Sequence, residues 1–339
     1  MRRVIGIALG LSLMIGVLVT AFVWPNSEVA PRDVPIAVAG SPEAVGQVEE
    51  QLSAAMPDAF DVSQVDDEAA AREAIEDRDV YGAVLLDPAG PPQVLTASAA
   101  GPLVAQLLQG VAAELAAQSG GGEAPTAAVE DVVPLPQDDP RGAGFSSGAL
   151  PMVLAGIAIG AAMSFVVPGV GRRLVGATVA ALGGGTVAVL VMQTWLGVLD
   201  GNWLANAGAF ALTLGATSIG LIGLNALLGH PGAGLGAAVV LLLGNPLSGV
   251  TSSPELLPSG WGALGQLLPP GAGGTLLRST AYFDGAGSGQ ALLVLGSWVV
   301  GGLLLAALGA RVRGDRANAA SLHEAAGGVP GDPQRLVTP

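Results

Sequence analysis

The sequence contains no cysteine and no lysine. Lack of cysteine excludes disulfides, thiolate nucleophiles and thiolate metal ligands. Lack of lysine makes all 13 basic residues arginine. An ordinary P-loop needs its lysine on the phosphates, so that nucleotide site is excluded, as is Schiff-base chemistry. The two histidines, His230 and His323, lie far apart, which rules out a multi-histidine metal site. No metal and no cofactor are expected. What is there is apolar: 51% of the 339 residues are hydrophobic and 12% charged, a membrane-protein composition. The low-lysine, Ala/Gly/Arg-rich character reads as a GC-rich bacterial genome.

A membrane-spanning helix needs about 20 mostly apolar residues. Six stretches qualify: Val4–Trp24, Gly148–Val167, Leu174–Leu196, Leu204–Leu228, Gly232–Val250 and Gln290–Ala310. None contains a charged residue. The fifth is the weakest, because Asn245-Pro246 interrupts its end. Val4–Trp24 exceeds the roughly 7–15 residues of a signal-peptide core and ends on an interfacial tryptophan, so an uncleaved anchor is expected. Arginine sets the orientation. With Arg2 and Arg3 cytoplasmic, six spans also place Arg172, Arg173, Arg311, Arg313 and Arg316 inside. Residues 25–147 then lie outside, with 21 acids against four arginines. Both termini are cytoplasmic in this map, and the expected location is the bacterial cytoplasmic membrane.

Residues 25–147 read as a folded acidic α/β domain. "DVPIAVAG" alternates Val34, Ile36 and Val38, the pattern of a half-buried strand. Ser41-Pro42 supplies an N-cap and a proline at the first helical position, and Val45, Val48, Leu52 and Met56 follow at helical spacing. "AFDVSQV", "VYGAVLLD", "PPQVLTAS" and "AAVEDVVPL" read as strands, and "DEAAAREAIEDRD" as a helix. Leu103, Leu107, Val111 and Leu115 mark one face of a longer helix, and "SGGGEAPT" reads as a flexible break. Alternating elements predict a mainly parallel or mixed sheet. The acidic run "VDDE" lacks calcium-loop spacing and reads as a cap for the following helix. The acidity makes nucleic acid an unsuitable partner.

Candidate intramembrane polar residues are Gln193 and Asn225, with Asn206 near the outer end of its span. Interhelical hydrogen bonding is the leading reading for Asn225, and lining a pathway the alternative. Small-residue pairs at Gly6/Gly10 and Gly156/Gly160, and the run Gly183–Gly185, permit close helix packing.

Between spans five and six, residues 254–287 are too broken by proline and glycine to cross, yet apolar. Ser259 reads as the N-cap of a helix carrying Trp261, Leu264 and Leu268. Pro269, Pro270 and Gly271 turn the chain, and Thr275 caps a second helix with Leu276, Leu277 and Phe283. The result is a helical hairpin suited to the membrane interface or to re-entry among protein helices. Arg278 is its one cation. Pairing with Glu255 or Asp284 is one reading, and contact with an anionic headgroup or substrate the other. Residues 311–339 read as a flexible cytoplasmic tail.

One anchor helix, a large outer domain and then five spans resembles the ABC-2 type transporter permeases, above all the subgroup related to the YhgE and phage-infection proteins. The matching stretches are "DVPIAVAG", "DRDVYGAVLLDP", "ASAAGPLVAQLL", "DDPRGAGFSSGALPMVLAGIAIG" and "GQLLPPGAGGTLLRSTAYFDG". The resemblance covers most of the chain through loose motifs. It implies a bundle of six membrane helices with an inserted extracytoplasmic domain. It also implies export of a hydrophobic or envelope-related substrate by a homodimer or hetero-oligomer with a separate ATPase. Trp261, Pro269, Pro270, Gly271, Arg278 and Asp284 become candidates for an outer gate or substrate contact. The chain departs from the pattern at "PGVGRR", where such permeases present a cytoplasmic coupling helix. The alternative is a non-transporting envelope protein whose outer domain binds a phage component or a cell-wall factor. No catalytic constellation is visible, so no enzymatic activity is expected.

Overall fold

The computed structural model describes residues 1–86, 92–119 and 128–327. Helix α1 (Arg2–Ser27) leads into an α/β domain made of β1 (Val34–Ala39), α2 (Pro42–Ala55), β2 (Phe60–Val65), α3 (Glu68–Glu76), β3 (Gly82–Leu85), β4 (Gln93–Thr96), α4 (Pro102–Ser119) and β5 (Ala128–Asp131). The bundle follows: α5 (Ala143–Val166), α6 (Val170–Val189, continued by a π-helical turn to Trp195), α7 (Trp203–Leu228) and α8 (His230–Ala238, continued likewise to Gly244). The last elements are α9 (Trp261–Gln266), α10 (Pro269–Tyr282) and α11 (Gly289–Gly327).

The domain's sheet has the order β2-β1-β3-β4-β5. All its pairings are parallel except β3 with β4. Helix α2 begins as its sequence predicts: Ser41 Oγ accepts from Ala44 N at 3.3 Å, with Pro42 in the first turn. Asp67, from the acidic run, caps α3 by accepting from Ala70 N at 2.9 Å. Strand β1 is buried on both faces rather than one. Val34, Ile36 and Val38 pack with α2 and α4, while Ala37 and Ala39 lie under Ala71 and Ile75 of α3. Alanine is small enough to admit α3, so alternation of size, not of polarity, distinguishes the two faces. In α4 the buried row is Val104, Leu108, Val111 and Leu115, whereas Leu103 is exposed. The expected face is thus rotated, because β4 and not the solvent decides which side is covered. The "SGGGEAPT" break lies almost wholly outside the described residues.

Among the described residues, five helices are long and apolar enough to cross a membrane: α1, α5, α6 with its π-turn, α7 and the first part of α11. Their outer faces carry large exposed apolar side chains such as Leu154, Val179, Leu293 and Leu304, a surface suited to lipid and not to water. Helix α7 is the hub, with most of its length buried against α5, α6, α10 and α11.

The fifth expected span, Gly232–Val250, forms a shorter helix instead. Nine residues of α8 and six of its π-helical end carry it only to Gly244. That is about 22 Å, against about 30 Å of hydrocarbon. The chain nevertheless returns to the face that bears the α/β domain, because Leu256 enters the domain's core. The tail also differs from expectation. Helix α11 continues without a break to Gly327, through the Ala-rich "ANAASLHEAAG", whose alanines favour helix. Residues 328–339 lie outside the described part.

Candidate functional site

Residues 245–288 form a structure that neither spans nor lies on the surface. From Leu256, at the domain, the chain descends through α9 and turns at Leu268. Helix α10 then climbs back to Phe283, which packs into the domain's other core. Contrary to expectation, the two prolines do not turn the chain but occupy the first positions of α10, with Leu268 as N-cap. A proline there needs no N–H partner, and its fixed φ suits a helix start. Gly260, at φ +80°, and not Ser259, precedes α9. Thr275 sits inside α10, where its hydroxyl donates to Gln266 Oε1 at 2.7 Å.

Helix α10 is buried almost throughout. Pro269, Pro270 and Gly271 lie deep in the bundle, Pro270 against Gly244 and Gly273 against Thr213 of α7. Thr213 is ten residues into α7, about 15 Å below its domain end. The hairpin is therefore re-entrant among protein helices and not interfacial. Ala263 and Leu264 of α9, and Leu267 just after it, face outward.

The α/β domain is docked on this hairpin. Ala30 N donates to Leu256 O, and Arg32 N to Glu255 O, both at 3.1 Å. The Arg32 side chain is spent on carbonyls of Glu28, Ala30 and Leu256. Between domain and hairpin lies a chamber of about 490 Å³. Its charged lining is Arg32, Arg78 and Arg278 against Asp33 and Glu255.

Arg278 is 5% exposed. It pairs with neither Glu255 nor Asp284. Its Nη2 donates to Val250 O at 3.2 Å, and its guanidinium stands 4.8 Å from the Phe145 ring centre. Asp284 is exposed and lies outside the chamber lining. Arg78 reaches the same chamber from the domain. It follows the end of α3 with φ +65°, a left-handed conformation costly for a long side chain. That geometry aims it at α10, where Nη1 donates to Ser279 Oγ at 2.6 Å and to Thr275 O at 3.3 Å. Its guanidinium lies 5.2 Å from the Phe283 ring centre, and its Nε is sealed from solvent without an acceptor. Burial first, and the charge of Arg278 second, draw its pKa down to about 10. Arg78 therefore stays protonated at neutral pH, and the charge of Arg278 adds to the cost of burying it. Tyr81 donates to Glu255 Oε2 at 2.5 Å, and burial followed by that carboxylate keeps its hydroxyl protonated by raising its pKa.

The remaining sequence candidates separate. Trp261 stands edge-on to Trp24 of α1, with centroids 5.4 Å apart. Gln193 donates to Gly201 O at 2.9 Å and accepts from Asn206 Nδ2 at 3.0 Å, tying α6 to α7 near the domain face. Asn225, at the opposite face, accepts from Arg173 Nη1 at 3.2 Å. Interhelical bonding is thus what the structure assigns to Asn225, and it does not meet the chamber. Sequence reasoning missed Arg78 and Tyr81. Arg78 is one basic residue among the acids of "EDRD", and no local signal separates it from a solvated surface arginine. No protein-family model, no curated protein and no solved structure matches the chain.

Proposed function

We propose that the chain is a permease-like subunit of an ABC-2 type export system, moving a hydrophobic or envelope-related substrate with a separate ATPase, as a homodimer or hetero-oligomer. One observation carries the reading: a buried helix that does not span, α10, closes the bundle beneath a chamber at the domain face. Interrupted backbone at membrane depth persists where protein or a water-lined cavity surrounds it, and transport proteins build their sites from such elements. In this reading the α/β domain is extracytoplasmic and the chamber is the outer vestibule. Trp261, Pro269, Pro270 and Gly271 belong to the gate below it, and the chain performs no covalent chemistry. On the opposite face, residues 311–327 extend α11 by about 25 Å and offer a docking element that the short loops do not.

A second reading has one feature in its favour. The 21 acids against four arginines in residues 25–147 suit an envelope protein that holds a basic partner and transports nothing. Purification of the full chain from its native host in mild detergent separates the two. A stoichiometric ATPase is expected to copurify. Its reproducible absence, with an envelope partner retained, overturns the export reading.

Orientation has its own test. The chain has no cysteine, so Ser259→Cys introduces a single exposed thiol. It is expected to react with a membrane-impermeant maleimide added outside intact cells. Reaction only from the cytoplasmic side reverses the map.

A further inference from the structure

Two arginines converge on the chamber from different parts of the molecule, Arg78 from the domain and Arg278 from α10. Neither has an ionic partner. Among the described residues the ion pairs are those of Arg72 with Glu68 and Glu130, on the domain surface. Glu255, the hairpin's own carboxylate in the chamber wall, accepts from Tyr81 and acts on Arg78 only from beyond ion-pair distance. A buried cation without a directly paired counter-charge is expensive, and two sharing a cavity are more so. Aromatic rings beneath each guanidinium offset part of that cost and hold the groups in place. Yet Arg78 makes its hydrogen bonds through Nη1 alone, and Arg278 has a single hydrogen bond to a carbonyl. Unused donors therefore face a cavity large enough for a small-molecule ligand.

We infer that Arg78 and Arg278 together bind the phosphate group of a ligand seated in this chamber. The geometry favours phosphate over carboxylate. A carboxylate has two coplanar oxygens and matches one guanidinium fork. A phosphate spreads its oxygens tetrahedrally and accepts from two guanidiniums arriving on separate elements. The chamber is also larger than the anion needs, so the phosphate is part of a bigger molecule. Its source is either a phospholipid headgroup, since Gln290 at the domain end of α11 lines the cavity at the level where headgroups lie, or a soluble phosphate compound. The inference does not rest on the export reading, and its test involves no ATPase.

The test uses the full chain in detergent, with two probes: titration with inorganic phosphate, and retention of phosphatidylglycerol by native mass spectrometry. Binding in at least one arm is expected, weakened about tenfold or more by Arg78→Gln and by Arg278→Gln. Retained lipid that phosphate does not displace identifies the headgroup as the source, whereas competition by phosphate identifies the soluble compound. Because an arginine variant could weaken binding by misfolding, Glu255→Gln supplies a change of opposite sign. It removes a repelling charge and is expected to tighten binding a few-fold. Absence of binding in both arms overturns the inference. So does wild-type affinity in the arginine variants, or weakened binding in Glu255→Gln.

Discussion

Gly265→Ala is expected to unseat the re-entrant hairpin and abolish ligand binding in the chamber. Gly265 is buried in α9 with an ordinary backbone conformation, so space alone demands glycine there. A Cβ would land on the carbonyl group of Leu247. Those are backbone atoms and cannot swing aside as a side-chain tip can. Helix α9 would have to move away from residues 247–248, and the contacts that lace the hairpin would go with it. Gln266 Nε2 donates to Ser248 O at 2.9 Å, and Thr275 donates back to Gln266. The Thr275 carbonyl in turn receives Arg78, so displacement of α9 reaches the chamber directly. A loss of about 3 kcal/mol is expected for overpacking against a rigid neighbour. Gly234→Ala is the control: it lies in α8 with nothing within 4 Å of the new methyl. Alanine's helix propensity makes it neutral or stabilising by up to about 1 kcal/mol. Unfolding of both variants beside the parent in the same detergent measures the difference. Equal stability of Gly265→Ala and the parent would show that the hairpin is not seated as described.

Gly223→Leu is expected to part α11 from α7, again at a cost of about 3 kcal/mol or more. The two helices touch backbone to backbone. A Cβ on Gly223 would strike the carbonyl oxygen of Gly302, and one on Gly309 the carbonyl oxygen of Ala226. A Cβ on Gly302 would come within 2.7 Å of Ile219 O. Membrane helices gain no hydrophobic advantage over lipid from meeting each other, so close packing of this kind supplies much of their association. Helix α7 cannot retreat, since Gly185 of α6 presses on Ala207 O and Gly156 of α5 on Thr217. The strain falls on α11, whose Trp298 donates to Leu267 O in the hairpin at 2.9 Å. The variant should therefore lower both stability and ligand retention, whereas Gly208→Ala, in the same helix but with open space at its Cβ, should leave both unchanged. Denaturant titration in detergent reads the first quantity and native mass spectrometry the second.

The small-residue pattern shows where local reading succeeds and where it stops. Gly156 and Gly160, marked by their spacing, do lie against α7, at Thr217 and at Ser218 and Leu221. Gly6 and Gly10 have the same spacing and meet nothing within 4 Å. Gly223, Gly302 and Gly309 carry the tightest seam without forming such a pair. Spacing says that a glycine lies on a helix face, but the partner helix decides whether that face is used. The fifth apolar run illustrates the same limit. Its composition suits a span, yet the helix stops at Gly244, where Pro270 of the re-entrant hairpin occupies the adjoining space.

What the sequence determined by itself was a membrane chain with six long apolar runs, five of which form helices of spanning length among the described residues, a capped and alternating α/β insertion, and basic clusters at one end of the spans. These are local properties: helix length, side-chain transfer cost and caps act within a few residues of one another. Only the tertiary structure decided that residues 254–287 re-enter the bundle, that α7 is the hub, and that Arg78 faces the hairpin. Arg78 and Ser279 are 201 positions apart in the chain. Their meeting depends on a left-handed turn after α3 and on docking of the domain through Leu256 and Phe283. A charge shows in a sequence wherever it stands. Whether it is solvated or shut in a chamber beside a second charge depends on how distant segments pack, and no local pattern records that.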